Sequence, residues 1–461
     1  MAKKKNATNR SRTPHSKEFL KFIASDWAEN PTPLPPLHEV APFAKARREK
    51  LAKAFAGHVI VIEASLPRVR SNDTDYRYRP STAFTHLTGW GSQAVPGSVL
   101  VIDARKKTAK STLYLMPTAG KDSDEFFANP AIGEFWVGQR PTLEEIEASL
   151  GIKTADIKKL EKHREKFQKV LTEKSPKLKV FLSEMRFVKD DYEIAEMRKA
   201  VAASISGFED IARNLKRATT LKRGERVIEG AFFARARLEG HDLGYETIAA
   251  SGANACILHW TKNDGEVIDG DLILVDAGVE VDSLYTADIT RTLPINGKFS
   301  KEQRFVYQAV LEAADAAFAV AKPGVKFRDV HNAAMEVIAA KVSELGLIPV
   351  SAEDALKPDN QHHRRFMVHG TSHHLGIDVH DCAQARREMY QDGILEEGMI
   401  FTIEPGLYFH KDDLKVPENY RGIGVRIEDD VLVTKDGVEN LSNALPRDPD
   451  ALEAWLQNYS D

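Results

Sequence analysis

Four carboxylates sit inside or beside apolar, strand-like runs: Asp276 in LILVDAG, Asp288 in TADITRT, Glu404 in FTIEPGLY and Glu428 in VRIEDD. Burying an ionised carboxylate is costly unless a counter-charge or hydrogen bonds accompany it. Such a chain can fold only into a structure that brings compensation to these positions. The few cations close by in sequence cannot neutralise all four acids, and acids gathered without compensation repel one another and rise in pKa. Two divalent cations would balance them charge for charge, with one histidine from the small-residue segment HGTSHHLG as the single imidazole. An oxygen-rich set with one imidazole suits manganese or cobalt, with zinc as an alternative, and disfavours thiolate-seeking ions. Two ions bridged by carboxylates can share a hydroxide, lower its pKa and clamp both oxygens of a tetrahedral intermediate. That chemistry fits amide hydrolysis. Any one of these acids alone would read more simply as a cap, a turn residue or a surface charge; the argument rests on the set.

The rest of the chain is ordinary. Its 461 residues, 42% hydrophobic and 29% charged, exceed one small module and predict two or three domains. No apolar run approaches the ~20 residues of a membrane span. A net charge of −4 gives no support to nucleic-acid binding. Two cysteines, Cys256 and Cys382, make no disulfide framework and point to a reducing, cytoplasmic setting; both read as small buried fillers. Residues 1–39 read as a disordered basic tail followed by a proline-rich connector (Pro31, Pro33, Pro35, Pro36). In 40–185, a short helix over 43–56, the runs HVIVIEAS, SVLVIDA and STLYLMP and a helix-patterned region leading to KVFLSEM predict a small α/β domain. The lysine-rich stretch 153–177 reads as a charged helical surface. Residues 186–461 interleave helical periodicity (190–215, 225–239, 301–321, 327–345) with strand pairs that look like hairpins. That pattern predicts an α+β domain with a largely antiparallel sheet.

DAGVEVDSLYTADITRT, HGTSHHLGIDVHD, TIEPGLY and GIGVRIEDD, with SNDTDYRYRPSTAFTHLTGW further upstream, resemble the signature blocks of the aminopeptidase P family of pita-bread metallopeptidases. The resemblance spans about residues 40 to 450. It implies an N-terminal aminopeptidase P domain and a curved-sheet catalytic domain that binds two divalent ions, manganese first, with peptides of penultimate proline as substrates and a homodimer or homotetramer as the assembly. Carried over, the pattern makes Asp276 a chelating ligand of one ion, Asp288 and Glu428 bridging ligands, and His373 and Glu404 the remaining ligands, with Glu404 also the general base. His259, His369 and His380 would stabilise developing charge near the scissile carbonyl, and Tyr408 and Arg426 would support the ligand carboxylates.

Asp276 and Asp288 are twelve apart, one residue more than the family pattern implies. A one-residue slip in a hairpin would turn Asp288 to the opposite face, so the extra residue is assigned to the turn, within Val281–Ser283, rather than to a bulge. His362 and His363 read as an exposed polar turn, His374 as packed outside the ligand set, and Trp136 and Tyr76 as ordinary aromatics or, for Trp136, a lid. Prolidase, which shares all five ligands, is the nearest rival. A non-catalytic binding module and a metal-independent amidinohydrolase are disfavoured because all five ligands are present.

Overall fold

The computed structural model describes residues 16–28 and 33–459; the basic run of the expected tail lies outside them. Lys17–Ala24, expected as part of that tail, is a helix (α1), capped by the Ser16 side chain accepting from the Phe19 N–H at 3.1 Å. The chain divides into two compact units, Met1–Glu173 and Lys174–Asp461.

The first unit carries helix α2 (Val40–Ala54) and a five-stranded sheet. Its strands are β1 (Val59–Glu63), β2 (Val99–Asp103), β3 (Lys110–Leu115), β4 (Lys153–Asp156) and β5 (Val170–Thr172), in the order β4-β3-β2-β1-β5. The β-branched runs of β1 and β2 pair antiparallel and are buried almost throughout. The lysine-rich stretch is therefore not a continuous helix. It contributes both edge strands, β4 and β5, with a 3₁₀ turn, Ile157–Lys159, and a short helix, Leu160–Arg164, between them. Lysine on an edge strand is a familiar guard against intermolecular pairing.

In the second unit, KVFLSEM falls in helix α3 (Pro176–Glu184) and its following turn. Helix α4 (Asp191–Ala218) begins with a reciprocal capping box between Asp190 and Glu193, which satisfies two N–H groups left over at the helix start. It packs on α5 (Gly224–Glu239). Gly207 makes the contact close: a Cβ there would stand 2.5 Å from a ring carbon of Phe232. Phe208 and Phe232 are fully buried in this seam, each worth about 1.5–3 kcal/mol of apolar burial.

The strands that matter to function follow. β6 (Ile248–Ser251), β7 (Leu272–Ala277) and β8 (Ile289–Pro294) form an antiparallel sheet in the order β8-β7-β6. After the packed helices α6 (Lys301–Val320) and α7 (Phe327–Glu344) come β9 (Ile400–Ile403), β10 (Gly406–Tyr408), β11 (Gly424–Arg426) and β12 (Asp429–Val433). β9 pairs with β12 and β10 with β11. The sheets of this unit are antiparallel and open, as the hairpin pattern predicts. Among the described residues no helix is long and apolar enough to cross a membrane.

A buried ion pair ties the start of this unit to the DVHD segment. Arg186 Nε donates to Asp381 Oδ1 at 2.8 Å, and Lys189 Nζ lies 3.9 Å from Oδ2. Burial by itself would raise the Asp381 carboxyl, but Arg186 and Lys189 hold it below the ordinary range. Stability from a carboxylate depressed in this way is complete above its unfolded pKa and is lost as pH falls through the lower folded value. Asp381→Asn leaves Arg186 buried beside a neutral group. It should cost about 3–5 kcal/mol at neutral pH, a gap that denaturant titration would find narrowing only below the ordinary carboxylate range.

Candidate metal centre

Register places the acids. In the β7–β8 hairpin Asp276 faces Thr290, and the same pairing runs unbroken to the Glu280–Thr286 bridge. No residue is bulged out, so the extra length lies wholly in the turn Val281–Tyr285. Val281 N–H donates to Tyr285 O there, and Leu284 takes a left-handed φ of 72°. Side chains two apart on a strand share a face. Asp288, two residues from Thr290, therefore lies on the same side as Asp276. The hydroxyl of Tyr245 meets both carboxylates, Asp276 Oδ1 at 2.6 Å and Asp288 Oδ1.

The second pair of acids follows the same logic. Ile403 faces Asp429 in one ladder and Gly406 faces Arg426 in the next. The register is continuous across the gap, where Pro405 has no N–H to give but still accepts from Ile427 N–H at 3.3 Å. Glu404 is thus set directly opposite Glu428. Like charges facing each other across a ladder destabilise it. Glu428 in turn bridges to Thr290, so the hairpin edges meet and all four acids fall in two neighbouring rows. The HGTSHH segment runs along the far side: Glu404 N–H donates to Thr371 O at 2.8 Å and Thr402 N–H to His373 O at 2.9 Å.

These residues wall one pocket of about 660 Å³. Asp276, Asp288, His373, Glu404 and Glu428 all line it, as do His259, His369, His380 and Arg426. Donor atoms of Asp288, His373 and Glu428 lie within 4.8 Å of one another. His373 Nε2 is 3.3 Å from Asp288 and 3.5 Å from Glu404. Arg426 Nη2 binds Asp276. The Tyr408 hydroxyl accepts from Arg426 Nη1 at 3.1 Å and meets His369 Nε2 at 2.7 Å. Its support passes through Arg426 and His369.

The electrostatics carry the mark of uncompensated charge. Burial, and then the charges of Asp288, Glu404 and Asp276, push Glu428 well above the usual carboxylate range. Burial raises Glu404 to about 7 against the pull of His373. Asp276 is raised by burial, with Asp288 adding and Arg426 opposing. Burial alone would lower His373, yet its hydrogen bond to Asp288 and the charge of Glu404 lift it to about 9. Burial, with Arg426 adding, drives His369 down to about 3; burial and then His373 lower His380. His369 and His380 are thus neutral at pH 7. The donor set, rich in carboxylate oxygen and short of cations, fits divalent metal ions.

Sequence reasoning missed two groups. Tyr245 bridges Asp276 and Asp288, and Thr290 Oγ1 donates to Glu428 Oε2 at 2.6 Å. Thr290 lies inside TADITRT and could have been inferred from strand alternation; nothing local marks Tyr245. His363 is buried, not exposed, its Nδ1 3.0 Å from Ala355 O. His374 packs against Phe187, Phe327 and Tyr390, stacked on Phe327 at 4.4 Å. Cys256 and Cys382 are free and buried, and burial raises both thiols, Cys256 to about 12. Trp136 and Tyr76 are exposed.

The model of metallopeptidase family M24 matches residues 195–435, and that of the aminopeptidase P N-terminal domain matches 44–181. The chain is 45% identical to Xaa-Pro aminopeptidase 1 of Streptomyces coelicolor, covering 96% of this chain and 92% of that protein. It is 31% identical to Xaa-Pro aminopeptidase of Escherichia coli, covering 90% and 97% respectively. The solved structure of aminopeptidase P from E. coli with the inhibitor Pro-Leu gives a TM-score of 0.79 at 29% identity, covering 92% of this chain and 99% of that one. The chain belongs to metallopeptidase family M24. Its two matched domains place it in the aminopeptidase P branch of that family, a group of metallo-exopeptidases.

The raised acids fix how the metal-free protein should respond to pH. A carboxyl whose folded pKa exceeds its unfolded value contributes stability that is full below the unfolded pKa and is lost as pH rises through the folded one. With Glu404 at about 7, chelator-treated Glu404→Gln protein should melt above chelator-treated wild type at about pH 8, and the gap should close as pH is lowered to about 5, the buried neutral histidines being common to both. Mn²⁺ should reverse that order at about pH 8, because its binding requires ionised ligands. Calorimetry with and without metal checks both.

Proposed function

We propose that the chain is an Xaa-Pro aminopeptidase, hydrolysing the bond between an N-terminal residue and a penultimate proline with two divalent ions, manganese first. Asp276 would chelate one ion, Asp288 and Glu428 would be shared, and His373 and Glu404 would complete the other position. When bound, such ions lower the pKa of a water molecule and polarise a carbonyl. The observation that carries the reading is the register-locked convergence of Asp276, Asp288, Glu404 and Glu428 on one pocket wall together with His373.

The chain's own groups divide the remaining work. Glu404, on the pocket wall beside His373, would take the proton released by the water that the ions activate. His259 and neutral His380, both on the pocket wall, can donate N–H hydrogen bonds to a substrate carbonyl as charge develops there, whereas neutral His369 gives its one N–H to Gly370 O and shapes the wall between them. His369 is held in place by the Tyr408 hydroxyl at 2.7 Å and by Gly370 O at 2.8 Å. Arg426 keeps Asp276 oriented and is itself held by Tyr408. The scissile imide has no N–H, so selection of proline rests on packing of its ring against the pocket wall, where Ile248, Leu258 and Val379 supply apolar surface. Two free buried thiols fit a cytoplasmic setting. Similarity to Xaa-Pro aminopeptidases along nearly the whole chain favours this reading over prolidase.

Turnover of an Xaa-Pro-Xaa tripeptide should exceed that of an Xaa-Pro dipeptide in Mn²⁺-loaded enzyme, and chelation should abolish both until the ion is restored. A strict preference for the dipeptide would instead mark a prolidase. Glu404→Ala should lower kcat by on the order of 10²–10⁴-fold, while Cys256→Ser should leave it nearly unchanged.

A further inference from the structure

The loop between β6 and β7 brings Leu258, His259 and Thr261 to the pocket, yet little of it is regular structure. After a short turn, Gly252–Cys256, its course is set by two buried side chains. Asn263, with a left-handed φ of 44°, accepts from Ala249 N–H at 2.9 Å and donates to Thr247 O at 2.8 Å. Glu225, fully buried in the first turn of α5, takes the rest.

Its carboxylate accepts four hydrogen bonds, two on each oxygen. Oε1 receives Ser251 N–H at 2.8 Å and Asn254 Nδ2 at 2.9 Å; Oε2 receives Trp260 Nε1 and Gly265 N–H, both at 2.7 Å. In sequence the donors lie on both sides of His259, with Trp260 its immediate neighbour. Gly265 has no Cβ because one would stand 2.7 Å from Glu225 Oε1 and 2.6 Å from Asn254 Nδ2. The loop backbone is thus shaped to close on this carboxylate. His259 itself is exposed at the pocket, with no such anchor of its own.

We propose that Glu225 is a positioning residue that sets where His259 stands in the pocket, a role that rests on the substrate-orienting part given to His259 above. Only a carboxylate offers acceptors on both oxygens to four donors. A glutamine there keeps one acceptor oxygen and turns its amide hydrogens against two of those donors. A displacement of about an ångström at an orienting group costs up to 10²-fold in rate.

The test compares Glu225→Gln, His259→Ala and the double variant, reading kcat/KM and bound metal in Mn²⁺-loaded enzyme and the His259 ring resonance in histidine-labelled protein loaded with diamagnetic Zn²⁺. Glu225→Gln should keep its metal, lose roughly ten- to a hundredfold in kcat/KM, and shift or broaden the His259 resonance. In the His259→Ala background the same change should cost almost nothing further, because both act on one group. Trp260→Phe, which removes one donor and keeps the bulk, should shift the same resonance if Glu225→Gln proves poorly folded. An unmoved His259 resonance in folded Glu225→Gln or Trp260→Phe protein overturns the proposal, as does a full, multiplicative loss in the His259→Ala background. A silent His259→Ala with a displaced resonance upholds the anchor and refutes instead the charge-stabilising role that the family resemblance implies for His259.

Discussion

Everything in the catalytic unit answers to the repulsion among four carboxylates held side by side on two meeting hairpins. The chain meets only part of that cost. Tyr245 offers one proton between Asp276 and Asp288 and Thr290 one to Glu428, while Arg426 sets its charge against Asp276 and His373 faces Asp288 and Glu404. Compensation of this kind satisfies individual oxygens and leaves the net negative charge for cations. The frame behind must therefore be stiff enough to hold the acids together when nothing neutralises them.

That stiffness comes from behind the acids. Arg291, fully buried, donates from Nη1 to the carbonyl of Glu428 at 2.7 Å, from Nη2 to Asp429 Oδ1 at 2.7 Å, and from Nε to Pro446 O at 3.1 Å. It rivets the strand that presents Glu428 to its neighbour and to the chain beyond β12. The Asp288 N–H donates to Asp430 Oδ2 at 3.1 Å, a second tie between the same two strands. The turn that holds the additional residue between Asp276 and Asp288 is tied as well: Tyr285 Oη donates to Glu193 and Ser283 Oγ to Glu196, both on α4.

Much of this was legible in the sequence, for physical reasons. An acid in an apolar run is an energetic anomaly that a single chain displays openly, so Asp276, Asp288, Glu404 and Glu428 could be singled out without a structure. Long amphipathic helices such as Gly224–Glu239, Lys301–Val320 and Phe327–Glu344 announce themselves through periodicity. Short edge strands do not: Lys153–Asp156 and Val170–Thr172 are polar, brief and defined by what they pair with. Tyr245 and Arg291 stayed hidden because their partners are remote in sequence and only strand register makes them neighbours. His363 reads as polar beside two arginines, and only its bond to Ala355 O shows why burial is tolerated.

The cross-strand rows also bear on how the molecule is made. Thr290 meets Glu428, and Asp288 meets Asp430, across a long intervening chain. Pairings so distant form late and slowly, since loop closure must precede any reward. A nascent chain that ends before β9 carries Asp276, Asp288 and His373 but neither Glu404 nor Glu428, and partial cages bind ions weakly. The full ligand set thus exists only once the two hairpins have docked, so any metal would be held after that step.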